Sequence, residues 1–188
     1  LMTYQRIQIF RGDVPWMYEG ILHEYPKCLK EPATIGSIDG DYYIISRRLG
    51  DRNKDPRKYQ KDAQVFEEEL KKDPKNSRNM FYCAQSYLDH QNFEKAEYWY
   101  TKRVEEGGWE EEVYVSLLRI AYCKQQLRRP IPHILDTLFK ATLILPNRVE
   151  AYFELSRIFR LSGVYREAYE YAKIGSIMKY HQRCLFGI

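Results

Sequence analysis

Two patterns in this sequence hold side chains whose types do chemistry. The first is His23-Glu24, an imidazole beside a carboxylate, inside the aromatic-rich stretch WMYEGILHEYPKC from Trp16 to Cys28. The second is a pair of arginines, Arg119 and Arg157, 38 residues apart (157 − 119). Two guanidinium groups held side by side repel each other unless an anion lies between them, and their fork of N–H donors suits a carboxylate or phosphate. Each pattern also has an ordinary explanation. His23 and Glu24 can be a hydrogen-bonded pair at a strand end, and the arginines can form surface ion pairs with Glu112 and Glu150.

The elements that must position these residues follow from periodicity. In RNMFYCAQSYLDHQNFEKAEYWYTKRV, the residues Met80, Cys83, Ala84, Tyr87, Phe93, Ala96 and Tyr100 recur at helical spacing on either side of a polar break. The pattern predicts two amphipathic helices joined by a turn at 90–92. Similar spacings return at Tyr152, Leu155, Ser156, Phe159, Gly163, Tyr165, Ala168 and Ala172. Met80 and Tyr152 are 72 residues apart, two periods of 34 plus four. In the middle copy Tyr114, Leu117, Leu118 and Ala121 arrive on schedule, whereas Ile134, Leu138, Ala141 and Pro146 arrive four residues late. A longer inter-helix turn, KQQLRRPIP, is the expected cause. Tyr98, Trp99 and Tyr100 must point in three directions from one helix, so at least one belongs to the core.

These residues resemble the tetratricopeptide repeat, with Pro74 and Pro146 at its closing position, and with Arg103, Gly175 and Gln91 as departures where Ala, Ala and Gly are usual. The resemblance implies a mostly α fold, a tetratricopeptide-like α-α superhelix of about three helix pairs, preceded by a short β-containing segment. The divisions expected are 1–55 for that segment and 56–188 for the repeats, the latter as a partial 56–76 and then 77–110, 111–148 and 149–182. The first helices would line a concave face. Arg78, Phe81, Gln85, Arg119, Tyr122, Phe153, Arg157 and Arg160 fall on that face as groove-binding residues, for a protein or peptide partner that the arginines would prefer acidic.

Residues 3–55 change character. TYQRIQIF alternates polar and apolar side chains, and glycines break the rest of the segment into short pieces, so strands are expected at 4–10, 18–23 and 41–47, with Arg11-Gly12-Asp13 as a turn. RIQIFRGDVPWMYEGILHEYP followed by LGDRNKDPRKYQKDAQVFEEELKKDPKN is similar to the junction in family 2, GT-A type glycosyltransferases where the catalytic domain runs into tetratricopeptide repeats. That resemblance implies a nucleotide-sugar donor and a divalent ion, manganese or magnesium, in a full-length enzyme. In several such enzymes a late His joins the metal shell, and His23 matches that position, with Glu24 orienting it or contacting the acceptor. The nucleotide-binding half of such an enzyme is expected upstream of Leu1. The reading for this chain is therefore a binding scaffold with no catalytic residue and no cofactor of its own.

Composition narrows the partners. A net charge of +4 and a pI near 8.7 are mild, and the densest basic run, RRLGDRNKDPRKYQK, is interrupted by Asp51, Asp55 and Asp62, which disfavours nucleic acid. Cys28, Cys83, Cys123 and Cys184 are scattered singly, without the paired spacing of a zinc site. No apolar run approaches the roughly 20 residues that cross a bilayer, and a cytoplasmic location is expected. The last residues, KYHQRCLFGI, are expected to pack on a neighbour through Leu185, Phe186 and Ile188.

Overall fold

The computed structural model describes residues 7, 9–30, 32–34, 36–38, 40–41, 44–45 and 54–178, in two compact units, 1–58 and 59–188. The segment 179–188, expected to meet a neighbour, lies outside them.

In the first unit a hairpin forms from β1 (Trp16–Glu19) and β2 (Tyr25–Cys28), antiparallel, with Trp16 opposite Cys28 and Glu19 opposite Tyr25. Pro26 is tolerated because a two-stranded ribbon leaves each strand an unpaired edge. The Phe10 and Trp16 rings meet edge to face at 5.2 Å, and Lys27 pairs with Glu19 at 2.7 Å. The strand expected at 18–23 is thus displaced to 16–19. Gly20 sits at φ 114°, a conformation L side chains rarely adopt, so the extended run stops there and residues 20–24 turn. Of the strands expected at 4–10 and 41–47, the described members Ile7, Ile9, Phe10, Asp41, Ile44 and Ile45 are not in a strand, and the others lie outside the described residues.

The second unit contains seven described helices: α1 (Lys58–Lys72), α2 (Ser77–Asp89), α3 (Phe93–Glu106), α4 (Glu110–Gln126), α5 (Ile131–Ile144), α6 (Val149–Leu161) and α7 (Tyr165–Ser176). They pack as the pairs α2/α3, α4/α5 and α6/α7, each pair stacked on the next. The architecture is a tetratricopeptide-like helical array. Local chemistry sets the ends. Asn76 and Asn92 cap α2 and α3, their side chains accepting the N–H of Asn79 at 3.0 Å and of Lys95 at 3.1 Å. α4 has no side-chain cap and instead gathers Glu110, Glu111 and Glu112 in its first turn, where the helix dipole favours anions.

One closure ends all three first helices. Asn92 N–H bonds Tyr87 C=O, Arg129 N–H bonds Lys124 C=O and Val164 N–H bonds Phe159 C=O, each at 2.9 Å, with Gln91, Arg128 and Gly163 left-handed at φ 59°, 52° and 75°. This is the Schellman turn, for which glycine is the usual residue. Its position also corrects the expected cause of the four-residue surplus. α4 has 17 residues against 13 in α2 and in α6, and its turn, 127–130, is one residue longer than 90–92 or 162–164. Lys124, Gln125 and Gln126 are therefore helical, and the extra residues mostly lengthen the helix.

The core lies inside and between the pairs. Ala63, Ala84, Ala96, Ala121, Ala141, Ala151 and Ala168 are buried where helices approach closely, and Phe66, Phe81, Tyr100, Tyr114, Leu138 and Leu155 fill the space between them. Of the three adjacent aromatics, Tyr100 is fully buried, Tyr98 is exposed and Trp99 is intermediate, its Nε1 donating to Glu67 at 3.3 Å.

Candidate functional site

The first helices α2, α4 and α6 bring Gln85, Arg119 and Arg157 to one register position, 34 and then 38 residues apart. The three side chains do different things. Gln85 donates to Asp89 at 3.0 Å through Nε2 and accepts the Tyr100 hydroxyl at 3.0 Å through Oε1. Arg157 donates to Glu154 on its own helix at 2.6 Å and reaches across to Gln125 of α4 at 2.5 Å. Arg119 differs from both: its Nε is buried and has no hydrogen-bond acceptor among the described residues.

The symmetric picture of two arginines sharing one anion therefore needs revision, because Arg157 already has a carboxylate. The alternative pairing does not occur either. Glu112 is engaged by Arg103, and Glu150 by Arg148 and by the Tyr114 hydroxyl at 3.1 Å.

Around Arg119 the other expected groove residues divide. Phe81 is 2% exposed, its ring against Tyr100 at 5.8 Å, so it belongs to the core and presents no surface to a ligand. The reason is that its ring packs on α3, which a single-helix reading could not register. Arg78 is half-buried with its guanidinium 4.9 Å from the Tyr82 ring, and Tyr122 is exposed on one side with its ring edge-to-face with Phe93 at 6.1 Å. Phe153 and Arg160 are exposed on α6.

His23 stands in the hairpin turn at φ 55°. Among the described residues no group of three or more His, Cys, Asp or Glu side chains could hold a metal ion, and the metal role expected for His23 belongs to a full-length enzyme with its upstream half. The sequence also holds an Asp-x-Asp, Asp39-Gly40-Asp41, a carboxylate pair of the kind that can hold a divalent ion. Asp39 lies outside the described residues, and Asp41 belongs to no such group.

Three polar clusters escaped sequence reading. Arg103 and Glu112 form a buried ion pair between α3 and α4, with Arg103 also donating to the Gly107 carbonyl at 2.5 Å. Arg148, before α6, engages Glu111 and Glu150 and covers the Tyr114 ring at 5.1 Å. Lys95 joins the Tyr87 hydroxyl at 2.8 Å to Glu67 at 3.1 Å. The signal for the first was available, since a charged residue at a position reserved for Ala needs a partner.

A mostly apolar hollow of about 410 Å³ lies between the end of α3, the start of α4 and α5, lined by Val104, Val113, Leu117 and Ile144 with Glu110 and Lys140. It has no nucleophile or metal-ligand cluster. No described helix is long and apolar enough to cross a membrane.

No family model matches the chain, and no curated protein matches it. Solved structures of MamA are similar in fold. One matches with a TM-score of 0.59 at 17% identity, covering 73% of this chain and 77% of that one. The structure of MamA MSR-1 matches with a TM-score of 0.53 at 16% identity, covering 64% and 67% of the two chains. At such identity the likeness speaks for the fold alone.

Proposed function

We propose that this chain is a binding scaffold whose first-helix face takes an acidic segment of a partner protein, anchored by Arg119. The observation that carries the reading is the buried Arg119 Nε without an acceptor. Leaving such a donor unsatisfied costs about 1–3 kcal/mol, which a ligand carboxylate would recover. Tyr122, on the same helix and exposed, offers an apolar surface beside it. The tetratricopeptide-like array supports a protein partner over a small-molecule substrate.

In this reading the chain divides as a segment 1–55, a partial repeat 56–76 and repeats 77–110, 111–148 and 149–182. Buried Cys83 and Cys123, both free thiols, fit a reducing, cytoplasmic setting. The resemblance to family 2 glycosyltransferases draws no support from the comparisons, and the proposal does not extend to sugar transfer.

The test is fluorescence anisotropy of the chain with two labelled peptides that differ only in Glu against Gln. The Glu peptide is expected to bind with an affinity that falls as salt rises, and Arg119→Gln to weaken it tenfold or more without lowering the melting temperature. Equal binding of both peptides, or an unchanged affinity in Arg119→Gln, would overturn the proposal.

A further inference from the structure

Phe81, Val115 and Phe153 occupy one register position in α2, α4 and α6, apolar in every copy. Phe81 and Val115, in pairs that have a further pair stacked on them, are each 2% exposed, whereas Phe153 is 62% exposed. The second helices agree. On α3, Phe93 packs on the Tyr122 ring of α4, and Glu97 pairs with Arg129 beyond α4 at 3.6 Å. Their counterparts on α7, 72 residues later, are Tyr165 and Tyr169, at 71% and 64% exposure. Leu161, the counterpart of fully buried Cys123, is likewise bare. An apolar face left open on a repeat array promotes association. The outer face of the last described pair carries Phe153, Leu161, Tyr165 and Tyr169.

Charge identifies what fits there. Arg160, Arg166 and Lys173 border this apolar face, exposed, and none forms an ion pair with an acid among the described residues. Lys173 lies in the last turn of α7, as Arg103 lies in the last turn of α3, where it receives Glu112 from the first turn of the helix docked on it. A helix continuing the stack would bring its acidic first turn to Lys173 and its far end to Arg160 and Arg166.

We infer that the outer face of α6 and α7 is a second docking surface, which takes an amphipathic helix with acidic flanks from another protein. The surface is separate from the Arg119 region and does not depend on it. It extends the interface by which α4 docks on α2/α3 and α6 on α4/α5.

The experiment uses the full chain and two labelled amphipathic peptides of about 18 residues, roughly 27 Å of helix, built from Leu and Ala with Glu flanks or with Lys flanks. Sedimentation equilibrium of the chain alone is run alongside. The expected result is a monomer that binds the Glu-flanked peptide and not the Lys-flanked one. Leu161→Ser and Tyr169→Ser should each weaken binding tenfold or more, Lys173→Glu should reverse the preference, and Arg119→Gln should leave it unchanged. Three results would overturn the inference. The chain could form a dimer that Tyr169→Ser dissociates, so that a second copy is the occupant. It could stay monomeric, bind neither peptide and melt several degrees lower in Leu161→Ser, so that its own residues fill the face. Or the peptides could bind without sensitivity to these variants.

Discussion

The Nε–H of Arg103 donates to Glu112 Oε2 at 2.9 Å, tying the last turn of α3 to the first turn of α4 where the two residues retain 1% and 3% exposure. Arg103 also reaches the carbonyls of Gly107 and Trp109, so the guanidinium serves the connection between the helices as well as their contact. Removing one member leaves the other buried and uncompensated. Arg103→Ala and Glu112→Gln should each cost about 3–5 kcal/mol in denaturant unfolding. The paired change of Arg103→Met with Glu112→Leu should recover most of that loss, since a well-packed apolar pair often matches a buried ion pair.

Gln91 occupies a left-handed position that its Cβ disfavours by about 1–2 kcal/mol. Gln91→Gly should raise stability by about 0.5–1 kcal/mol after the greater flexibility of glycine in the unfolded chain is counted. Thermal unfolding checks this, and Gly163→Ala, at φ 75°, should move the melting temperature the other way.

Burial pushes the Cys123 thiol up to about 12, and Cys83 is driven up by the same cause, with the Glu67 carboxylate adding to it. Only the thiolate reacts with alkylating agents. At pH 8 iodoacetamide should therefore modify Cys28, which is part exposed, well before Cys83 or Cys123, as read by peptide mass spectrometry. Addition of denaturant should make all three react.

Glu67 is held below its ordinary value. Burial opposes its ionisation, but hydrogen bonds from Tyr87, Lys95 and Trp99 together outweigh that. A carboxylate depressed in the folded state contributes stability above its unfolded value, about 4.3, and loses it as the pH falls through the folded value. Urea unfolding should thus show a decline on acidification, below about pH 5, that is shallower in Glu67→Gln.

Phe81 and Phe153 share a register position and differ in cover, so the same substitution should act differently at each. Phe81→Ala should cost about 3–5 kcal/mol, whereas Phe153→Ala should stay within about 0.5 kcal/mol. Chemical denaturation of the two variants measures the difference directly.

Helix pairs were legible in the sequence because their cause is local. The spacing of Met80, Cys83, Ala84 and Tyr87, the Asn76 and Asn92 caps and the Gly107-Gly108 stop act within a few residues of one another, and each acts before any tertiary contact exists. The hairpin was half legible: its β-forming residues marked a strand, but Gly20 set the boundary by conformation. Candidate groove residues were placed by register, yet register alone could not separate Phe81, which is buried, from Phe153, which is exposed.

What the sequence by itself determined is the array of paired helices, since periodicity, caps and turn closures are properties of short segments. Only the tertiary structure decided which charges are satisfied. Arg103, Arg119 and Arg157 are alike in type and all lie on amphipathic helices, but one is buried against Glu112, one has a buried Nε without an acceptor and one is neutralised by Glu154. The reason is that a charge is compensated by what approaches it in space. That depends on how neighbouring helices stack: Glu112 reaches Arg103, Glu111 reaches Arg148 and Glu67 reaches Lys95 from nine, 37 and 28 residues away in the chain.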